Sequence, residues 1–166
     1  LYTSPHLVNV NERIRINGIP ISNKEIDIFI HKYKTDIETI GSTFFETITA
    51  MAFWYFKKTK VDVAVLETGL GGRLDSVSIC EPMATIITPI SLDHLEILGD
   101  TLSQITFEKA GVLKHGVACI SAQQEASATK VLVDEAKKKE VPILFMNGDR
   151  CSEFQLNIHG KSQQEN

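Results

Sequence analysis

Near residue 60 the hydrophobic period of this chain changes, and that switch decides its architecture. Upstream, apolar residues recur at helical spacing: Ile26, Phe29, Ile30, Tyr33 and Ile37 in one stretch, then Ile48, Met51, Ala52, Tyr55 and Phe56 in the next. Downstream they contract into short apolar runs, β-branched at 61–67 and 84–90 and followed by further runs at 117–121 and 142–146, separated by helical segments at about 101–110 and 125–140. Such runs are expected of strands covered on both faces, and strands alternating with helices require right-handed crossovers between parallel neighbours. The expected class is therefore α/β, a mostly parallel sheet with flanking helices.

The first sixty residues are expected to add a hairpin and two helices. Residues 13–21 alternate apolar with polar on either side of Asn17-Gly18, a pair that tolerates the positive φ angles of a tight two-residue turn. Ser22 with Glu25, and Thr43 with Glu46, have the spacing of capping boxes, and the second helix, at about 43–58, closes on Lys57-Lys58. Gly41 separates the two, and Gly111 is expected to stop the helix at 101–110. After residue 150 apolar density falls; 154–158 could open one more strand, and 161–166 reads as a frayed end.

Composition narrows the function. The 166 residues carry 17 basic and 21 acidic side chains, a formal charge of −4 and a pI near 5.7, which argues against broad nucleic-acid binding or attachment to anionic membranes. No apolar run approaches the roughly 20 residues that span a bilayer. Cys80, Cys119 and Cys151 are odd in number and never in a Cys-x-x-Cys pair, which predicts reduced thiols in the cytoplasm. The chain opens Leu1-Tyr2-Thr3-Ser4, without an initiator Met or a signal-peptide pattern, and is expected to be a fragment.

In an open α/β sheet, ligands gather at the carboxyl ends of the strands, so the polar residues there come first. The run 61–67 ends in Glu67, followed by Thr-Gly-Leu-Gly-Gly-Arg-Leu-Asp75; the run 84–90 is followed by Ser-Leu-Asp93-His94. A carboxylate at a strand end is a hard-oxygen ligand on a firm support, suited to Mg²⁺ against nucleotide phosphates, although a helix cap explains Glu67 equally well. Gly69, Gly71 and Gly72 do not match the dinucleotide spacing Gly-x-Gly-x-x-Gly and read first as a turn. Arg73 and Asp75 read first as a surface pair, His94 as a hydrogen-bonded structural histidine with a metal ligand as the alternative, and Lys109 as a solvated lysine at a helix end. Ser4, in Thr-Ser-Pro-His, could offer a hydroxyl to a metal but is foremost a turn residue. No Walker-type Gly-x-x-x-x-Gly-Lys-Ser/Thr occurs in the 166 residues.

Taken together, five blocks of sequence resemble the folylpolyglutamate synthases, including the bifunctional dihydrofolate synthase/folylpolyglutamate synthases, of the Mur-ligase superfamily. They read Tyr2-Thr-Ser-Pro-His-Leu7, Asn11-Glu-Arg-Ile-Arg-Ile-Asn-Gly18, Leu66-Glu-Thr-Gly-Leu-Gly-Gly-Arg-Leu-Asp75, Leu92-Asp-His94 with Leu98-Gly99, and Glu108-Lys-Ala-Gly111. One departure is visible: where the family usually reads Asp-Ala/Ser-Thr-Asn, this chain has Asp75-Ser76-Val77-Ser78.

The resemblance implies a partial Mur-ligase-like ATP-binding domain over 1–150, with 151–166 as its end or a tail, and a phosphate loop and C-terminal domain lying outside these residues. It implies a ligase that uses ATP and Mg²⁺ to join L-glutamate to a folate or dihydropteroate carboxylate through an acyl phosphate, acting as a cytoplasmic monomer without nucleic-acid or membrane partners. It assigns Ser4, Glu67 and His94 to magnesium, Lys109 to a carbamate formed with CO₂, and Thr43, Phe45, Arg73 and Asp75 to the substrate pocket. Two alternatives stand beside it: a cell-wall ligase of the same superfamily, and a truncated remnant without catalysis.

Overall fold

A computed structural model describes residues 1–146, which divide into two compact units: residues 1–70 with 75–79, and residues 71–74 with the chain from 80 onward. The stretch 154–158 and the tail lie outside the described residues.

The first unit opens with the expected hairpin. Strands β1 (Arg15–Ile16) and β2 (Ile19–Pro20) pair antiparallel, Arg15 with Pro20 and Ile16 with Ile19, and Asn17 and Gly18 both take positive φ, 50° and 82°, as a tight two-residue turn demands. Helix α1 (Asn23–Ile40) starts on Ser22, whose hydroxyl accepts the Glu25 N–H. Only half of the expected box forms, because the Glu25 carboxylate turns to the Lys58 ammonium instead. Helix α2 (Phe44–Thr59) starts on Thr43 with the box complete in both directions. Phe29, Ile48, Met51, Ala52 and Phe56 are buried on the facing sides of the two helices, while Ile30, expected inside, is exposed at the edge of α1's apolar stripe. Tyr2, Ile14 and Ile21 complete the core from the amino-terminal segment, and Val77 from the segment after the glycines.

The second unit carries the parallel sheet. Strands β3 (Thr85–Ile87), β4 (Cys119–Ser121) and β5 (Ile143–Phe145) lie in the order β3-β4-β5, with Ile86 opposite Ile120 and Ile120 opposite Leu144. Between them run a single-turn helix α3 (Leu95–Leu98), which the periodicity does not reveal, then α4 (Leu102–Lys109) and α5 (Ala126–Lys138). Gly111 does not stop the chain outright: α4 tightens into a 3₁₀ turn at Ala110–Val112. Helices α4 and α5 pack on each other, and Ile105, Ala128, Leu132 and Ala136 join Ile87 and Cys119 in the unit's interior.

Two expectations about burial are corrected. The sheet is buried on one face only: Ile87, Cys119 and Ser121 point inward, whereas the cross-strand row Ile86, Ile120 and Leu144 is 71%, 40% and 59% exposed. No layer covers that row among the described residues. The run 61–67 is not a strand of this sheet; it meets Tyr2 through a single parallel bridge at Leu66, and Val63 and Val65 stay exposed. A single bridge satisfies too few backbone groups to count as a ladder, so the run stays extended without forming a strand.

Candidate active site

Within the first unit the site is organised by Tyr2. Its ring is fully buried, its N–H donates to the Val65 carbonyl at 2.9 Å, and its carbonyl accepts the Glu67 N–H at 3.0 Å. This short parallel register carries Ser4 to the end of the 61–67 run, where the Ser4 N–H donates to Glu67 Oε2 at 2.7 Å. Two residues 63 positions apart are thereby brought together through the Ser4 main chain. The Glu67 carboxylate is exposed and its Oε1 is uncommitted among the described residues.

An exposed carboxylate beside a serine is a hard-oxygen donor set. It fits Mg²⁺, which keeps several waters and is held by one or two carboxylates together with substrate phosphates. No group of three or more His, Cys, Asp or Glu side chains is gathered for a metal among the described residues, so the fit is to an open, phosphate-completed site rather than a closed cage.

The glycine-rich segment is shaped by Asp75. This carboxylate is only 8% exposed, and it accepts the N–H groups of Gly69 at 2.8 Å and Leu70 at 2.9 Å on Oδ2, with Val77 at 2.9 Å on Oδ1. A carboxylate receiving three backbone N–H groups is a turn-former, and Asp75 plays that part here. Next to it, Thr49 is a hub that sequence reasoning passes over. Its hydroxyl is 2.9 Å from the Tyr2 hydroxyl, accepts from Ser76 Oγ at 3.2 Å and donates to the Phe45 carbonyl at 2.9 Å. A threonine in the middle of a predicted helix gives no outward sign of this role. The chain's departure at 76–77 has a local logic: Ser76 feeds the hub and Val77 fills the core.

Phe45, assigned to the pterin by resemblance, is half-buried on the first turn of α2, 6.1 Å from the Tyr2 ring centroid, with the far end of its ring against Gly69. Thr43 spends its hydroxyl on the helix cap, accepting the Glu46 N–H and donating to the Glu46 carboxylate. Those contacts hold the Glu46 carboxyl below the usual glutamate range, chiefly through the Thr43 backbone N–H. Upstream, Glu12 gathers the N–H groups of Leu7, Val8 and Asn9, and Arg13 donates to His6 Nδ1 at 2.9 Å, so the Ser-Pro-His-Leu loop is tied to the hairpin.

The second unit holds the remaining candidates. Arg73 lies where the chain crosses the 3₁₀ turn after α4; its N–H donates to the Glu108 carbonyl, and its guanidinium grips the Glu108 carboxylate with Nε at 3.0 Å and Nη2 at 2.9 Å. This pair raises the Arg73 pKa, and it corrects the expected surface pair of Arg73 with Asp75: the guanidinium takes Glu108, while Asp75 is buried and spent on backbone N–H groups. Glu108, beside Lys109, is a partner that sequence reasoning did not single out. The approach is closest at Gly111, where a β-carbon would stand 2.1 Å from the Arg73 Cα; only glycine fits. Lys109 ends α4, half-buried, with no ion-pair partner among the described residues.

His94 adopts a left-handed conformation, φ 51°, at the head of α3; its N–H donates to Asp93 Oδ1 at 2.8 Å and its half-exposed ring stands 3.6 Å from Asp93 Oδ2. A shallow groove of about 400 Å³, lined by Ile97, Leu98, Gly99, Ser103, Gln104, Phe107 and Glu108, runs along α3 and α4 and includes none of the predicted site residues.

The parallel α/β sheet of the second unit and, in the first unit, a carboxylate beside a serine with a glycine segment closed by an aspartate define the class, that of the Mur ligases. No protein-family model matches the chain. Individual proteins do. The dihydrofolate synthase/folylpolyglutamate synthase of Bacillus subtilis is 41% identical over 160 residues, covering 92% of this chain and 37% of that protein. A solved complex of folylpolyglutamate synthase (FPGS) with AMPPCP and folate superposes with a TM-score of 0.82 at 33% identity, over 87% of this chain and 37% of that one. The Mycobacterium tuberculosis enzyme complexed with ADP and AMPPCP follows at 0.81 and 33%, over 87% and 35%. The chain belongs to the folylpolyglutamate synthase family, and it spans a little over a third of the length of these relatives.

Proposed function

We propose that the chain is the central part of an ATP-dependent ligase that adds L-glutamate to a folate or dihydropteroate carboxylate, working as a cytoplasmic monomer. The observation that carries this reading is the 2.7 Å contact between Ser4 and Glu67, which sets an exposed carboxylate and a serine side by side at the mouth of a glycine-rich segment. In the reaction, a carboxylate oxygen of the acceptor displaces ADP from the γ-phosphorus to give an acyl phosphate. The glutamate amine then attacks that carbonyl carbon, inorganic phosphate leaves and the amine loses a proton. Magnesium, when bound, neutralises and orients the phosphate oxygens.

The chain's own residues do the rest. Glu67 and Ser4 supply oxygen donors for an ion, and His94, in the second unit, is assigned to magnesium by resemblance. Lys109, uncommitted to any acid among the described residues, is the residue that would capture CO₂ as a carbamate and so exchange a positive head for an anionic oxygen donor. Phe45 offers an aromatic surface to the pterin. Asp75 and Thr43 take part by shaping the wall around it, since each already spends its polar groups on protein partners; Arg73, in the second unit, is assigned to the substrate by resemblance. Folate complexes among the solved relatives favour a pterin acceptor over a cell-wall precursor.

The test is glutamate ligation by a protein of the relatives' full length that carries this sequence. Glu67→Gln and Lys109→Ala should each abolish product formation from folate, ATP and glutamate without loss of folding. Turnover like that of the parent in either variant overturns the assigned roles.

A further inference from the structure

Gly69 is the glycine of the loop segment that the movable end of a side chain approaches most closely. A β-carbon built there would lie 2.4 Å from Phe45 Cζ and 2.6 Å from Cε2, distances that no real contact tolerates. At Gly111 the obstacle is main chain, so an added methyl group must break the packing. At Gly69 one of the two partners can yield, and the surrounding bonds decide which. The Gly69 N–H is held by Asp75 Oδ2, and so is that of Leu70. The Phe45 main chain is held too, by the helix and by Thr49 at its carbonyl. What remains free to move is the Phe45 ring.

We propose that Gly69 is a positioning residue for the acceptor pocket: its missing side chain is the seat that fixes the Phe45 ring for stacking on a pterin, and Asp75 holds that seat still. This rests on the reading of Phe45 as a pterin contact. It goes beyond that reading by making ring placement, and with it selection for a planar bicyclic heteroaromatic, depend on a residue that offers a ligand no side chain. A methyl group at 69 would push the ring off its seat while leaving the loop's hydrogen bonds in place.

The experiment is a double-mutant cycle on the full chain with Gly69→Ala, Phe45→Leu and both together, each read by urea unfolding and by calorimetric titration with folate. Gly69→Ala should weaken folate binding by about tenfold, the equivalent of one aromatic contact. In the Phe45→Leu background, where the ring is gone, the same substitution should change neither affinity nor unfolding midpoint. Equal losses from Gly69→Ala in both backgrounds would show that residue 69 acts independently of the ring and overturn the inference. So would a Gly69→Ala chain that binds folate as tightly as the parent, an outcome that leaves the pterin reading intact. A parent chain that binds no folate removes the pterin reading and this inference with it.

Discussion

Replacing Asp75 by asparagine tests the internal logic of the glycine segment most directly. The carboxylate receives three backbone N–H groups at 2.8–2.9 Å from a site that is 92% shielded from water, since its exposure is 8%. An asparagine presents one carbonyl oxygen and one NH₂ group. Whichever way the amide turns, the NH₂ faces at least one backbone N–H, so that edge loses its bonds and gains a donor-to-donor contact. Hydrogen bonds to a charged acceptor contribute about 1.5–3 kcal/mol each, and a buried donor left unpaired costs about 1–3 kcal/mol. Losing the weaker edge, the single bond from Val77, should therefore cost about 2 kcal/mol. Asp75→Ala, which strands all three N–H groups, should cost roughly 3 kcal/mol or more.

Trp54, the only tryptophan in the sequence, sits on α2 with its ring 5.5 Å from that of Phe29, so its fluorescence reports on the first unit. With a urea dependence of about 1 kcal/mol per molar for a unit this small, Asp75→Asn should lower the midpoint by about 2 M. Ser76→Ala, which removes one hydroxyl contact to Thr49, serves as the comparison and should shift it by no more than about 1 M. An Asp75→Asn midpoint indistinguishable from the parent's would refute the assignment of this carboxylate as the loop's organiser.

Three further outcomes are expected. Gly111→Ala should cost the second unit more than about 3 kcal/mol, because the new methyl group meets the Arg73 main chain and no side chain can swing clear; circular dichroism during heating measures it. Glu12 and Glu46 are held below the usual glutamate pKa of 4.5, Glu12 first by the Leu7 N–H and Glu46 first by the Thr43 N–H. The folded state therefore binds fewer protons at these sites than the unfolded one, so their support is complete above pH 4.5 and fades as pH falls through the lowered values; carbon-13 titration should find both midpoints below 4.5, and midpoints at or above it would contradict the contacts. Ile86→Lys combined with Leu144→Lys should sharply reduce binding of an apolar dye and any concentration-dependent association seen in sedimentation, because these two side chains flank Ile120 on the open face of the sheet.

The hairpin, both long helices, their caps and the three parallel strands were legible because each rests on a local rule: Asn17-Gly18 for the turn, Thr43 with Glu46 for the cap, short apolar runs between helical stretches for β3, β4 and β5. The misjudgements came where a residue's fate depended on a distant partner. Glu25 has a capping-box position, yet the Lys58 side chain, 33 residues away, takes its carboxylate. Val63 and Val65 have the composition of a central strand, but burial requires neighbours on both sides, and among the described residues the run bridges only to Tyr2. Short α3 could not be read from periodicity, since four residues make a single turn. Thr49 was invisible as a hub because a hydroxyl's partners are set by tertiary packing.

The candidate site shows the same division in its chemistry. The residues assigned to the acceptor end by resemblance are those whose hydrogen-bonding capacity the protein already uses: Thr43 in a cap, Asp75 in a turn, Arg73 in a two-pronged ion pair. Those assigned to the metal and phosphate end keep capacity in hand: Glu67 retains Oε1, Ser4 its hydroxyl, and Lys109 its ammonium among the described residues. A pterin is planar and of fixed shape, so a wall that is firm before binding serves it, and firmness comes from internal bonds. A magnesium–triphosphate unit brings its own charge and several of its own ligands, so the protein's part is to leave oxygen donors free and wet. On the proposed assignment, the two kinds of residue are complementary answers to two kinds of ligand. On this argument Glu67→Gln should remove phosphate chemistry with little loss of stability, whereas Asp75→Asn should weaken both stability and folate binding together.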